Sequence, residues 1–258
     1  YIAITFDDGR SDNYLLAKQV MDKYGLLGTV YITTGFIDGT WDEKNVLKSP
    51  TRPLSVDEII ELQQSGWEIG LHGDKHKTQV DDMRCALNKL SSWGTNNLSW
   101  GISVPNSVTD EAEVTRLFES DYGYKIAYVR RGRKCDTTMF MNKVFYGLYS
   151  VCGMRWAYRC FNKYNITDYM QMDKSNIPSV VIKSNDKPKM IIDFIKRIPD
   201  NSVVVFMLHS ILPITYSCCR KDPWSWEESR FDEFCARLRE LVDLGIIESA
   251  PLVNFMEK

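Results

Sequence analysis

Only three histidines occur in the 258 residues: His72, His76 and His209. Two of them stand in "HGDKH" (72–76) as a His-x-x-x-His pair, and the third closes "FMLH" (206–209). Near the start, "TFDDG" (5–9) places two carboxylates, Asp7 and Asp8, side by side before Gly9. Two imidazoles four apart on one turn can reach one metal ion. One carboxylate added to them gives a ligand set of two histidines and one carboxylate, with open positions for water and substrate. A metal held this way makes its bound water more acidic and polarises a carbonyl. Only one of the two aspartates need bind it. Adjacent side chains diverge in extended or tight-turn backbone, so the other carboxylate can remain an uncoordinated base. His209, with an ordinary pKa of about 6.5, suits a general acid that protonates a leaving group.

Each piece alone is bland: "DDG" is a common turn, His-x-x-x-His a common helix face, and a strand-end histidine a common satisfied polar group. What changes their meaning is the set of elements that must position them. "YIAITF" reads as a strand running into Asp7, "WEIGL" as a strand running into His72, and "VVVFML" as a strand running into His209. In a parallel α/β sheet or barrel the C-terminal strand ends converge on one face, where active sites form. All three histidines and the aspartate pair are therefore expected to meet in one place.

The rest of the chain supports such a sheet. Asp12 stands as a cap before the helical "NYLLAKQVMDKYG", and "GTVYITT" (28–34) follows as strand. Ser55 precedes a helix in "VDEIIELQQSG", and a further helix is expected near 79–92. "LSWGISV" (98–104) reads as strand, "DEAEVTRLFESDYG" (110–123) as helix and "KIAYVRR" (125–131) as strand. From about 134 to 178 the rhythm breaks into a Tyr-, Met-, Arg- and Cys-rich stretch, read as an insertion. It then resumes with strand "PSVVIK", helix "KPKMIIDFIKRI", strand "NSVVVFMLH", helix "SRFDEFCARLRELVDLG" and a short last strand in "IIESAPLVNF". Repeated strand-then-helix units imply right-handed crossovers and a parallel sheet or barrel. The expectation is one domain over 1–258.

Composition sets the outer bounds. With 44% hydrophobic and 26% charged residues, the chain can bury a sizeable core without staples. A net charge of −2 gives no reason to expect capture by nucleic acid or an anionic membrane. The longest apolar runs are too short to span a bilayer. The seven cysteines match neither a zinc ribbon nor a CxxC pair, and Cys218 and Cys219 are adjacent. This usage leans towards a reducing, cytoplasmic setting. Tyr1 already reads as strand, and no signal peptide is visible ahead of it.

"TFDDG", "HGDKH" and "FMLH" resemble the first, second and fifth motifs of the polysaccharide deacetylases, the NodB-homology domains of carbohydrate esterase family 4. The resemblance implies a distorted (β/α)7-type barrel and hydrolysis of N-acetyl groups on an amino-sugar glycan. It implies Asp7 as the base, His209 as the acid, and Asp8, His72 and His76 as ligands of a divalent metal, usually zinc, with cobalt, nickel or manganese as substitutes. Leu208 would line the pocket for the acetyl methyl. Family members usually work outside the cytoplasm.

The departures from the pattern matter. The third motif usually reads Arg-x-Pro-Tyr with its arginine orienting the base. Here "ISVPNS" (102–107) keeps Pro105, places Asn106 where tyrosine stands and offers no arginine. Some relatives carry that arginine on the next strand, where this chain has Arg130 and Arg131, and one of these is expected to hold Asp7. Gly73 stands where the second motif has Ser or Thr. The fourth motif has no clear place, with Asp136 and Asp173 as weak candidates. Trp41, Trp224 and Trp226 follow strands and could stack on sugar rings. Two alternatives stay open: hydrolysis of another amide of cyclic imide or ureide type on the same scaffold, and a catalytically weak glycan-binding domain.

Overall fold

Alternation of side chains along each strand decides what faces the inside of the sheet and what faces the helices. In a computed structural model of the chain, which describes residues 1–41, 50–107, 110–132, 144, 166–216 and 221–256, that alternation builds an eight-stranded sheet. Its strands are β1 (Ile2–Phe6), β2 (Thr29–Ile32), β3 (Glu68–Leu71), β4 (Trp100–Ser103), β5 (Ile126–Arg130), β6 (Thr167–Asp168), β7 (Val180–Val181) and β8 (Ser202–Leu208). The order is β5-β4-β3-β2-β1-β8-β6, with β7 also paired to β8. All pairings are parallel except the short β6 against β8.

The sheet curls into a distorted barrel, as the motif resemblance implies. Ile177 pairs with Arg130 at the open edge of β5, and Val180 and Val181 pair with Phe206 and Met207 of β8. One stretch of chain thus reaches from the last strand of the sheet back to β8. The insertion expected over 134–178 lies mostly outside the described residues, and its end needs correcting. Lys174 and Ile177 already hydrogen-bond Val129 and Arg131, so this part belongs to the barrel wall.

Two other expectations change. Asp12 does not cap the first helix. The chain enters it through a π-helical turn (Asn13–Lys18) that runs into α1 (Gln19–Lys23), with no side-chain cap. Instead the buried Asp12 carboxylate accepts from Ile211 N at 2.8 Å and Thr51 Oγ at 2.5 Å, a long-range tie that wins over local capping. Burial pushes its pKa up to about 6. The expected last strand is reduced to one bridge, Ile2 to Ser249, before a 3-10 turn (Leu252–Phe255). Its apolar residues cover the bottom of the barrel rather than extend the sheet.

The remaining helices are α2 (Thr34–Ile37), α3 (Val56–Gln64), α4 (Val80–Ser92), α5 (Glu111–Glu119), α6 (Pro188–Ile195) and α7 (Glu228–Asp243). α3 starts where Ser55 predicts: its hydroxyl accepts from Glu58 N while the Glu58 carboxylate accepts from Ser55 N, a capping box. Ile2, Ile4, Phe6, Val30, Ile32, Ile102 and Leu208 face these helices in the larger core. Ala3, Tyr31, Tyr128, Val203 and Val205 fill the inside with Leu252 and Phe255. A parallel pair, β9 (Ser210–Leu212) with β10 (Ser225–Glu227), follows directly after His209.

Two tyrosines occupy the barrel centre because two glycines make room. A Cβ at Gly70 would run into Tyr31 Cδ1, and one at Gly101 into Tyr128 Cζ, both well inside contact distance. The tyrosine hydroxyls meet at 2.7 Å, and Tyr128 donates to buried Glu68 Oε1 at 2.6 Å. Gly101→Ala is expected to lower unfolding free energy by roughly 1–3 kcal/mol in urea titration, because the tyrosine ring cannot swing clear in a packed interior.

Candidate active site

The top of the barrel collects the chemistry. Interior-facing positions of β1, β3, β4, β5 and β8 continue at their C-terminal ends into Asp7, His72, Ser103, Arg130 and His209. The turn after β1 is left-handed at both Asp8 (φ 82) and Gly9 (φ 81). Glycine adopts this conformation freely, whereas a non-glycine residue is held in it by its surroundings at a cost of about 1–3 kcal/mol. The reversal sends the Asp7 and Asp8 carboxylates to different partners.

Asp7 points at β4 and β5. Its Oδ1 accepts from Arg130 Nη2 and, at 3.3 Å, from Ser103 Oγ. Arg130 is fully buried, lies 4.9 Å over the Tyr31 ring and donates to Ser179 Oγ at 3.1 Å. Burial would raise the pKa of Asp7, but Arg130, His72 and His209 outweigh it and hold the carboxyl below its ordinary value. Arg131 goes elsewhere. It follows the helix-facing parity of β5, its backbone N–H donates to Ile177 O, and the carboxylates whose charges act on it are Glu111 and Asp173. The weak candidate Asp173 stays with its own turn, accepting from Ser175, while Asp136 lies outside the described residues.

Asp8 turns towards the histidines. Its Oδ1 is buried without a hydrogen-bond partner among the described residues and lies 3.5 Å from His72 Nε2 and 3.7 Å from His76 Nε2. The two Nε2 atoms are 3.2 Å apart. These three distances approximate the edges of a tetrahedron with metal–ligand bonds of about 2.0–2.2 Å, which run to about 3.3–3.6 Å. Two nitrogens and one oxygen, facing one another around an orphaned carboxylate oxygen, fit a divalent cation. His72 Nδ1 lies 2.9 Å from Ser103 O, so it donates there and leaves the Nε2 lone pair open. Burial, with His72 beside it, lowers the His76 pKa to about 4, so this imidazole is neutral at neutral pH.

The second-motif loop is braced from α4. Asp82 accepts the backbone N–H groups of Lys75 and Lys77, and Lys89 Nζ reaches Asp74 Oδ1 at 2.7 Å. Gly73 (φ 82) sits against Asp82, where a Cβ would come within 2.5 Å of Oδ2. The hydroxyl missing at this position is thus replaced by a carboxylate from the helix. Nothing in the sequence marks Asp82 or Lys89 for this role apart from their place on the next helix.

Asp7, Asp8, Arg10, His72, His76, Val104, Asn106, Met207, His209 and Trp224 line one cavity of about 390 Å³. His209 carries Trp224 at 4.9 Å between ring centroids, and burial lowers its pKa. Its backbone oxygen accepts from Asn13 Nδ2 at 2.8 Å. Trp41 stacks on His76 at 6.0 Å. Asn106, left-handed at φ 55, reaches His76 O, and Pro105 opens its short turn. Leu208 is placed differently from expectation: it is packed on the helix side of β8, and Met207 faces the cavity instead. Trp226 is a core residue that donates to Asp186 O. Of the seven cysteines, Cys85 and Cys235 are described, and both are free.

Residues 1–115 match the family model described as polysaccharide deacetylase. That stretch belongs to the polysaccharide deacetylase family. No curated protein matches the chain. Among solved structures, it is similar to a deacetylase from Streptococcus pyogenes in complex with acetate, at 18% identity and a TM-score of 0.40, over 51% of this chain and 55% of that one. It is also similar to a family 4 acetyl xylan esterase from Clostridium thermocellum in complex with a cobalt ion, at 14% identity and a TM-score of 0.49, over 99% and 90%. A third is a family 4 carbohydrate esterase from Streptomyces lividans in complex with acetate, at 11% identity and a TM-score of 0.43, over 95% and 89%. The substrates in those names are those proteins' own. No helix among the described residues is long and apolar enough to cross a membrane.

Two outcomes follow from the charges. Arg130→Met leaves Asp7 buried without its cation, and such a loss costs about 3–5 kcal/mol. Urea unfolding at pH 7 reads it, and a loss below about 1 kcal/mol would mean that Asp7 is neutralised by another group. His76, with a folded pKa of about 4 against an ordinary 6.5, takes up a proton more readily when unfolded. Its contribution to the stability of the metal-free protein is therefore lost as pH falls from 6.5 to 4. The difference between wild type and His76→Asn in metal-free unfolding across that range isolates it.

Proposed function

We propose that the chain is a metal-dependent hydrolase that removes N-acetyl groups from an amino-sugar-containing glycan. The observation that supports this most is the triangle of Asp8 Oδ1, His72 Nε2 and His76 Nε2 beside Asp7 and His209 in one cavity. Family membership over residues 1–115 agrees with it.

Asp8, His72 and His76 would hold a divalent cation, zinc by the character of the donors. When bound, that ion supplies Lewis acidity, polarising the acetyl carbonyl and making a water more acidic. Asp7, oriented by Arg130 and Ser103 and kept ionised at neutral pH, takes the proton of the attacking water. The developing oxyanion would form in a cavity whose lining carries one guanidinium, Arg10. His209 then gives a proton to the departing amine nitrogen. Burial lowers the His209 pKa, so the imidazole must first take up the proton it donates, such as the one Asp7 removes from water, and once charged it is the stronger acid. Met207 and Val104 offer the apolar contact for the acetyl methyl assigned to Leu208 by resemblance. Trp41 and Trp224 stand on either side, against His76 and His209, where a sugar ring would enter.

Metal analysis of purified protein combined with acetate release from N-acetylglucosamine oligomers tests the reading. Wild type is expected to carry one divalent ion and release acetate. Asp7→Asn should keep the ion and slow by roughly 10²–10⁴-fold, the usual worth of a general base. His76→Ala should lose the ion without unfolding. Wild type without metal and without acetate release on any glycan would overturn the proposal. Hydrolysis of small cyclic imides or ureides in its place would move the substrate to that class.

A further inference from the structure

Arg10 follows the aspartate pair closely, and its side chain is not accounted for by the chemistry above. It is 2% exposed, and its Nε and Nη2 both donate to Asp8 Oδ2, at 3.0 and 2.8 Å. Nη1 donates to buried Ser210 Oγ at 2.9 Å, which anchors the guanidinium to β9. The two oxygens of Asp8 are thus divided. Oδ2 belongs to the guanidinium, and Oδ1 is left facing the two histidines. Asp7 is served by the other guanidinium, Arg130.

We propose that Arg10 and the metal neutralise the same carboxylate, so the pocket is assembled and stable without its ion and holds the ion less tightly than its three ligands alone would. This rests on the reading that Asp8, His72 and His76 bind a divalent cation. A partner that orients a ligand normally strengthens metal binding, as a carboxylate behind a ligating histidine does. Arg10 differs because its charge has the sign of the metal. In a pocket shielded from water, two cations on one carboxylate repel strongly, while the fork geometry saves only the rotamer freedom of a short side chain. Charge therefore decides the sign, and Arg10 and the ion are negatively coupled. Each also stabilises the protein in the other's absence, since an unpartnered buried carboxylate is costly.

Three proteins decide the matter: wild type, Arg10→Gln, which removes the charge but keeps a donor, and Arg10→Lys, which keeps the charge. Each is stripped with EDTA, and zinc affinity is measured by chelator competition at fixed pH alongside Tm with and without zinc. Stripped wild type is expected to keep its near-ultraviolet circular dichroism and to melt cooperatively. Arg10→Gln is expected to bind zinc about 10-fold or more tightly than wild type, within the range typical of residues behind metal ligands. Its Tm without zinc should fall, and zinc should raise it by more than it raises that of wild type. Arg10→Lys should stay close to wild-type affinity. Arg10→Gln that folds only with zinc would show the same coupling at its limit. Equal or weaker zinc binding by Arg10→Gln, failure of that variant to fold even with zinc, or loss of tertiary structure in stripped wild type would each overturn the inference while leaving the metal site standing. Wild type that takes up no zinc would overturn the metal reading and the inference with it.

Discussion

Two carboxylates on adjacent residues, both buried, are the constraint around which this barrel mouth is organised. Asp7 and Asp8 are 3% and 1% exposed, and neither charge can be left to solvent. Burial alone would push both pKa values up. Both are nevertheless depressed, Asp8 strongly, because each has its own guanidinium: Arg130 for Asp7 and Arg10 for Asp8. The left-handed turn at Asp8 and Gly9 is what allows this. In plain extended backbone both acids could not face the mouth, since alternate residues leave on opposite faces. The strain at Asp8 is therefore the condition for two acids at one site.

That pairing in turn depends on the inside of the barrel being polar in an ordered way. Three layers can be followed along β3, β4 and β5. Glu68 lies lowest, next to Thr29 and the backbone of Val253. Tyr31 and Tyr128 fill the middle over Gly70 and Gly101. His72, Ser103 and Arg130 form the top. The layers are joined: Glu68 accepts from Tyr128, Tyr128 meets Tyr31, and the Tyr31 ring carries the Arg130 guanidinium. A cation buried without such support would find neither hydrogen bonds nor a π face to offset its desolvation.

Much of this was legible in the sequence because the period of a strand is two. Once Asp7, His72 and His209 are taken as strand-end residues facing inward, parity assigns the neighbours. Along β5, Tyr128 and Arg130 share a face and Arg131 does not, so the choice between the two arginines was available from alternation alone. The same rule places Met207 inward and Leu208 outward, against the assignment carried over by resemblance. Other features left no mark of this kind. The pairing of Arg10 with Asp8 depends on a turn geometry that residue types do not announce. Asp12 looked like a helix cap because capping is local, whereas its real partners, Thr51 and Ile211, are distant in sequence. The last predicted strand failed because its apolar residues had a second use, closing the bottom of the barrel.

The place of Arg130 on β5 also explains why the stretch after the expected insertion has to be part of the wall. An arginine on β4 would have been flanked by strands on both sides. One on β5 sits at the open end of the sheet order, where an unpaired edge would let the strand move. Lys174 and Ile177 supply the missing backbone partners to Val129 and Arg131. Ser179 then accepts from Arg130 Nη1 while donating to Arg131 O, which ties the guanidinium to the closing segment itself. Directly after Ser179 the chain pairs with β8, the strand that delivers Met207 and His209. Asp7 and His209 are thus held by one continuous piece of backbone, and a buried arginine on β5 is workable only because that piece closes the barrel beside it.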